Sequence, residues 1–159
     1  VDLNKKRLQI AKKLGATDIF KSSNINQEAI IKKISNKTKT SSYDIVISAN
    51  GNIKSHELAC GLVGKKGVVN LFGGIPKNLS KKMTIDSNMI HYKQASITGS
   101  FSSAQSHLTK AFKIIRNKSI DFSKIVTSNA NFENLNHKLF LLKNHKEIKS
   151  IFIPRHEKL

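Results

Sequence analysis

Compact apolar runs that alternate with amphipathic segments predict an α/β fold with a mostly parallel sheet. The apolar runs at residues 43–48 and 68–72 are bounded by glycine, which is typical of strands buried inside such a sheet. The segment at 55–63 between them has the spacing of an amphipathic helix. A helix that joins two parallel strands implies a right-handed crossover, so we expect helices packed on the sheet.

The first residues predict a strand end followed by a helix. Residues 5–14 place Leu8 and Leu14 at helical spacing, and Gly15 follows where a helix C-terminus favours positive φ. Asp2 comes just before this helix, where dinucleotide-binding sheets place a carboxylate that accepts hydrogen bonds from the adenosine ribose. That acid normally follows a glycine-rich fingerprint by about 20 residues. Because nothing precedes Val1 here, we expect the chain to be the back part of a larger enzyme.

The remaining elements alternate along the chain. We predict strands at 17–20, 43–48, 68–72, 95–99 and 148–153, and helices at 27–37, 55–63, 104–116 and 134–142. Residues 64–67 are interpreted as a break before a strand, and residues 76–82 as a loop. The apolar residues of the helix at 104–116 are expected to face inward: Leu108, Ala111, Phe112 and Ile115.

Composition limits the classes of function. The 159 residues suffice for one domain with a core, no apolar run is long enough to span a membrane, and no signal peptide is visible. The single cysteine, Cys60, fits a reducing compartment, so we expect a cytoplasmic protein. A net charge of +18 raises the alternative of nucleic-acid binding. The lysines are spread along the chain, however, without Arg-rich clusters or aromatic stacking platforms, so we expect no specific nucleic-acid partner.

The sequence lacks a recognisable catalytic or metal-binding pattern. The histidines show no ligand spacing such as H-E-x-x-H, and one cysteine without paired carboxylates offers no zinc ligand set and no nucleophile–base pair. Each histidine is therefore interpreted as a surface residue or a hydrogen-bonded core residue: His56, His91, His107, His137, His145 and His156.

Seven segments share a pattern with one enzyme family. They are residues 1–7, 11–17, 43–47, 49–52, 69–76, 88–92 and 97–101. Together they resemble the zinc-type medium-chain alcohol and polyol (sorbitol-like) dehydrogenase superfamily. The resemblance implies a partial doubly wound, Rossmann-like parallel sheet that lacks its first strand, within a partial dinucleotide-binding domain at residues 1–103. Residues 104–159 would form a C-terminal segment that packs towards a catalytic domain absent from this chain.

The strand order of this fold, 3-2-1-4-5-6, assigns a place to each predicted strand. The strands at 43–48, 68–72 and 95–99 would be strands 4, 5 and 6 and would pair as neighbours. The strand at 17–20 would be strand 3, whose only neighbour is almost entirely missing.

The resemblance also implies cofactor-binding roles at the adenosine and pyrophosphate end. Asp2 matches the ribose-binding acid, and its charge would repel a 2′-phosphate, which favours NAD over NADP. Arg7 matches a basic residue that contacts the adenosine ribose, and Lys149 matches one that reaches the pyrophosphate. Two alternatives remain open. Asp2 could stabilise the helix dipole, and Arg7 could lie on a solvated helix face.

Three further segments match the nicotinamide end of the cofactor site. One matches the end of a strand that lies beside the adenine and the nicotinamide ribose, although Asn50 stands where Thr is usual. In the second, glycine lets the backbone approach the nicotinamide, although a Gly-Gly pair is also common in plain turns. The third lines the nicotinamide pocket. Their residues are Ala49, Asn50 and Gly51, then Phe72, Gly73 and Gly74, then Ser100 and Phe101.

The implied parent is an NAD-dependent and zinc-dependent homo-oligomer that oxidises a secondary alcohol, such as a polyol or sugar alcohol. Its zinc ligands and proton relay lie upstream of this chain, so we expect no catalytic and no metal-binding residue here. The chain alone is expected to be inactive. A stand-alone pseudoenzyme or interaction module, and a basic nucleic-acid-binding protein, are the alternatives.

Overall fold

The computed structural model describes residues 1–22, 26–118 and 120–154. These residues belong to two units. The sheet unit is Asn24–Ser103, and the split unit combines Val1–Ser23 with Ala104–Leu159. The predicted domain boundary between residues 103 and 104 stays a prediction.

The described elements follow one another along both units. In the split unit, α1 is Lys5–Lys13, α5 is Gln105–Arg116, a 3₁₀ helix is Phe122–Lys124, β4 is Val126–Ala130, α6 is Leu135–Lys143 and β5 is Lys149–Phe152. In the sheet unit, α2 is Gln27–Thr38, β1 is Tyr43–Ser48, α3 is Ile53–Leu62, β2 is Val63–Leu71, α4 is Ser87–Lys93 and β3 is Ser96–Gly99.

The sheet unit contains the parallel sheet that the sequence predicts. Its strands are parallel in the order β1-β2-β3, with Val46 opposite Val69 and Val69 opposite Ile97. Val69 is fully buried, while Ile45 on the other face of β1 is 68% exposed. One face of the sheet therefore packs on a core, whose buried residues are Ala59, Cys60, Val63, Val69 and Ala95.

Side-chain caps define where the helices of the sheet unit begin. The Asn26 side chain accepts a hydrogen bond from the Glu28 amide, and Asn52 accepts one from the Lys54 amide at 2.9 Å. Asp86 does the same for α4. These oxygens satisfy amides that have no partner inside the helix, so the first residues of α2, α3 and α4 are fixed locally by the sequence.

The predicted break at residues 64–67 is wrong as the boundary of the strand, because β2 already begins at Val63. Val63 is fully buried and lies opposite Tyr43. The pairing is nevertheless interrupted over these residues, since the next pair is Ile45 with Val68 and Lys66 has a φ of 57°. A Cβ atom on Gly67 would lie 2.9 Å from the Tyr43 carbonyl oxygen, so glycine lets the two strands approach closely where the pairing resumes.

The predicted strand at 17–20 is also wrong. Asp2 and Lys21 form a single parallel bridge, in which the Asp2 amide donates to the Phe20 carbonyl and the Ser22 amide donates to the Asp2 carbonyl. The pairing thus consists of one residue from each segment, Asp2 and Lys21, and Lys21 lies one position beyond the predicted strand. The helix end before it is as expected, since Gly15 has a φ of 105°.

The split unit contains a parallel pair of strands, of which the sequence predicted only one. β5 confirms the closing strand, whereas its partner β4 and the 3₁₀ helix were missed. Thr127, Ser128 and Asn129 give β4 no apolar run, so its sequence carries no strand signal of the usual kind. β4 is therefore identified only by its pairing with β5.

The helix at 104–116 is present as α5, but the expected inward face is wrong. Leu108, Phe112 and Ile115 are between 53 and 64% exposed. Every residue of α5 is exposed, so the apolar stripe of this helix meets none of the described residues closely enough to bury it. A search of the described helices for one long and apolar enough to cross a membrane found none.

Candidate functional site

The candidate site begins at the edge where the three parallel strands of the sheet unit end. β1 ends at Ser48, β2 at Leu71 and β3 at Gly99, and the register places Ser48 opposite Leu71 and Leu71 opposite Gly99. Ligands of open α/β sheets bind at this carboxyl edge. Eight of the predicted cofactor residues follow directly after these strand ends: Ala49, Asn50, Gly51, Phe72, Gly73, Gly74, Ser100 and Phe101.

The segments after β1 and β2 pack backbone against backbone. A Cβ atom on Gly73 would lie 2.3 Å from the Asn50 carbonyl oxygen, and one on Gly51 would lie 2.6 Å from the Gly74 carbonyl oxygen. A Cβ atom on Gly74 would meet nothing within 4 Å. Gly73 is therefore required by the neighbouring chain segment, whereas Gly74 leaves open space beside the backbone.

His56 also contacts the Asn50 carbonyl oxygen. This residue lies in the first turn of α3, is 5% exposed, and places its Nε2 3.2 Å from the Asn50 carbonyl oxygen. The Asn50 side chain also accepts from the Asn52 amide at 3.1 Å. Sequence analysis interpreted His56 only as one of several surface or core histidines. The sequence signal that could have indicated this contact was the position of His56 in the predicted helix, six residues after Asn50.

Asn70 links the ends of β2 and β3 and was missed by the sequence analysis. Its Nδ2 donates to the Ser100 hydroxyl at 2.8 Å. Val69 packs into the core, so Asn70 lies on the other face of the sheet. Its Oδ1 and the Ser48 hydroxyl are buried without a hydrogen-bond partner among the described residues. A polar residue inside an otherwise apolar strand was the sequence signal that could have identified it.

Two phenylalanines lie exposed along this edge. Phe72 is 63% exposed and Phe101 is fully exposed, and the Ser100 amide donates to the Leu71 carbonyl at 3.4 Å. The strand ends therefore offer a polar pair, Asn70 and Ser100, and two exposed aromatic residues, of which Phe72 directly follows β2 and Phe101 comes two residues after β3. Such a combination suits a flat ring that carries a polar substituent.

Asp2 and its surroundings belong to the split unit. The capping oxygen of α1 is that of Asn4, which accepts from the Lys6 and Arg7 amides. Asp2 Oδ1 accepts from the Asn4 amide at 2.7 Å. Because Asn4 caps the helix, Asp2 is not needed for that task. Its second carboxylate oxygen has no hydrogen bond among the described residues, so it can accept from a ligand.

Arg7 is half-buried. Its Nη2 lies 3.3 Å from His145 Nδ1, while Asn4 donates to the His145 carbonyl at 3.2 Å. Arg7 Nε is buried without a partner among the described residues. Lys149, the first residue of β5, is exposed. The split unit thus contains all three residues predicted for the adenosine and pyrophosphate end.

Glu57 fixes the loop that leads from β2 to α4. Its carboxylate accepts from the Thr84 amide at 3.0 Å, from Lys54 Nζ at 2.9 Å and from Gln27 Nε2 at 3.2 Å. The Thr84 bond, followed by the Lys54 bond, lowers the pKa of Glu57 below its ordinary value. The carboxylate therefore stabilises this loop in its charged form.

Glu147 holds the strand pair of the split unit together. Its carboxylate accepts from the Ser128 hydroxyl and from Lys138 Nζ, the latter at 2.9 Å. The Ser128 bond and then the Lys138 bond lower the pKa of Glu147. This ionised group has a structural task, because it joins α6 to β4.

The fold and the edge geometry agree with a family assignment. A family profile described as zinc-binding dehydrogenase matches residues 1–117. The chain belongs to the zinc-binding dehydrogenase family. A comparison with curated proteins found no match.

Solved structures share the fold of this chain. An alcohol dehydrogenase zinc-binding domain protein from Burkholderia ambifaria matches with a TM-score of 0.83 and 19% identity, over 98% of this chain and 41% of its own. A protein from Sinorhizobium meliloti 1021 bound to NADP matches with 0.81 and 18%, over 96% and 43%. A short chain alcohol dehydrogenase from Escherichia coli CFT073 complexed with NADH matches with 0.78 and 17%, over 98% and 43%. The chain thus spans about two fifths of each.

Each unit of the chain has features that fit a nicotinamide cofactor, which is found in two of these structures. In the sheet unit they are the open space at Gly74 and the buried Asn70 Oδ1 without a partner among the described residues. In the split unit, taken by itself, the Asp2 oxygen is available to a ligand. No comparable set of zinc ligands is present in the described part of the chain, where no three or more histidine, cysteine or acidic side chains form a group that could hold a metal ion. His156 lies outside the described residues.

Proposed function

We propose that this chain is the C-terminal part of an NAD-dependent and zinc-dependent dehydrogenase that oxidises a secondary alcohol, with a polyol or sugar alcohol as the substrate class. The observation that supports it best is the clustering of three predicted nicotinamide segments at one carboxyl edge of a parallel sheet. The family match over residues 1–117 agrees with that placement.

In this proposal the chain binds and orients the cofactor. The second oxygen of Asp2 accepts from the adenosine ribose, and its negative charge disfavours a 2′-phosphate. Arg7 and Lys149 supply positive charge for the ribose and pyrophosphate. Bound NAD would accept a hydride from the alcohol carbon, and the protein's task is to hold the nicotinamide ring at the sheet edge.

The Ser100 hydroxyl is oriented by Asn70. Because Asn70 Nδ2 donates to the Ser100 oxygen, the Ser100 proton is directed to another acceptor, such as a carboxamide oxygen of the cofactor. The chain then contributes a backbone cradle and a polar contact, and no proton transfer or metal ligation is assigned to its residues.

The rest of the parent would supply the zinc site and the substrate pocket. The exposed apolar stripe of α5 is an appropriate surface for a catalytic domain outside this chain, because a stripe of this kind normally packs on another element. The chain alone would then be inactive, and the parent is proposed to be a cytoplasmic homo-oligomer.

The proposal is tested through Asp2 in the full-length dehydrogenase. Asp2→Ser should shift the ratio of NAD to NADP efficiency towards NADP by about 1–3 kcal/mol, the magnitude of hydrogen bonds to charged groups. Steady-state kinetics with both cofactors measure this ratio. Asp44→Ser, which removes an exposed acid from β1, is the matched control and should leave the ratio unchanged. An unchanged ratio in Asp2→Ser would contradict the assignment of Asp2.

A further inference from the structure

His56 is the buried titratable side chain nearest to the candidate edge that the proposed mechanism does not use. It is 5% exposed, and its Nε2 lies 3.2 Å from the Asn50 carbonyl oxygen. A carbonyl oxygen can only accept a hydrogen bond, so Nε2 must carry the proton. The bond therefore requires the Nε2–H tautomer or the imidazolium form of His56.

The Asn50 peptide is contacted by two neighbours, His56 and Gly73. His56 binds its carbonyl oxygen, while Gly73 approaches so closely that an added Cβ would lie within 2.5 Å of the Asn50 nitrogen and carbonyl atoms. Gly73 is itself tied to β1, because its amide and that of Phe72 donate to the Ser48 carbonyl at 2.9 and 3.1 Å. These contacts hold the segments after β1 and β2 in one relative arrangement. His56 contacts the Asn50 carbonyl oxygen, where the two segments meet.

We propose that His56 is a positioning residue that fixes the Asn50 peptide and so sets the backbone surface that residues 49–51 and 72–74 present to the dinucleotide. The inference rests on the proposed function for its ligand, but its geometry stands on contacts within the sheet unit. His56 itself touches Asn50 rather than the cofactor, so its effect on binding is indirect. Loss of the bond would let the Asn50 carbonyl rotate away from His56.

The first test uses the unaltered 159-residue chain and asks which ring nitrogen of His56 carries the proton. Long-range nitrogen–proton NMR spectra at about pH 8 distinguish the two neutral tautomers. We expect the Nε2–H form. Observation of the Nδ1–H form would overturn the proposal, because that tautomer cannot donate to Asn50.

The second test compares three variants of the chain by amide hydrogen exchange. In His56→Leu the Phe72 and Gly73 amides should exchange about three- to ten-fold faster, the factor that corresponds to one neutral hydrogen bond. His56→Gln keeps an amide donor and should restore much of the protection. His91→Leu replaces an exposed histidine of α4 in the same unit and should leave these amides unchanged. Equal exchange in His56→Leu and the unaltered chain would overturn the proposal.

A titration of the full-length dehydrogenase with NAD, with and without the same substitutions, separates this inference from the proposed function. If NAD binds the unaltered full-length protein, its Kd should rise about three- to ten-fold in His56→Leu and recover in His56→Gln. An unchanged Kd would overturn the positioning role. If millimolar NAD does not bind the unaltered full-length protein, that result counts against the cofactor assignment and overturns the ligand part of this inference. The exchange data would still decide on the His56 bond.

Discussion

The sheet unit and the split unit bury their apolar residues to very different extents. The sheet unit has a core of five buried residues between its sheet and its helices, and Val63 and Val69 in it are fully buried. In the split unit, by contrast, α5 exposes its whole apolar stripe and α6 exposes Leu139 and Phe140. Both units contain parallel strands, so the difference lies in what covers the helices.

The comparison teaches that an amphipathic pattern specifies a helix but not its burial. The stripe of α5 is as regular as that of α2, whose Ile30 and Ile34 are buried. Free energy is gained from an apolar stripe only when another surface removes it from water. The split unit therefore has apolar surface available for a further partner, which in our proposal is the catalytic domain of the parent.

The largest expected effect contrasts one buried and one exposed apolar side chain. Val69→Ala should lower the free energy of unfolding by about 2–3 kcal/mol, because it removes buried methyl groups and leaves a cavity. Phe112→Ala on α5 should change it by about 0.5 kcal/mol or less, because that ring is already in contact with water. Urea denaturation followed by circular dichroism measures both. Equal losses would show that α5 is covered in solution.

A smaller effect contrasts the two neighbouring glycines of the sheet unit. Gly73→Ala should cost about 1–3 kcal/mol, since its methyl group would overlap the Asn50 backbone. Gly74→Ala has open space and should stay within about 0.5 kcal/mol of the unaltered chain. The same urea experiment compares them. A loss in Gly74→Ala as large as that in Gly73→Ala would indicate that the two segments pack differently.

The smallest effect compares one carboxylate from each unit. Binding partners lower the pKa of both Glu57 and Glu147 below 4.5, so their stabilisation is fully present above that pH and is lost as the pH falls through the lowered values. The urea midpoint should therefore fall between pH 7 and about pH 3.5. Glu57→Gln and Glu147→Gln should each reduce that dependence, by removing one contribution. A pH dependence as steep in both variants as in the unaltered chain would exclude these carboxylates as its source.

The sequence alone determined most elements of the sheet unit, because these have a local signal, whereas α4 was missed. The apolar run of β1, the helical spacing of α2 and the run within β2 were all predicted close to their observed bounds. It also determined that the predicted nicotinamide segments share one edge, since parallel strands joined by crossover helices end on the same side. The resemblance to the dehydrogenase family rested on these segments together with others between residues 1 and 101, and the family match over residues 1–117 confirms it.

Only the tertiary structure decided the contacts that give the site its shape. The bond from His56 to Asn50, the need for Gly73 and the link from Asn70 to Ser100 each join residues whose proximity no local pattern records. The same holds for Arg7 and His145, which are 138 residues apart. The expectation that the apolar face of α5 is buried was wrong for the same reason. Local pattern sets backbone conformation, whereas burial and hydrogen-bond partners depend on which distant segment lies opposite.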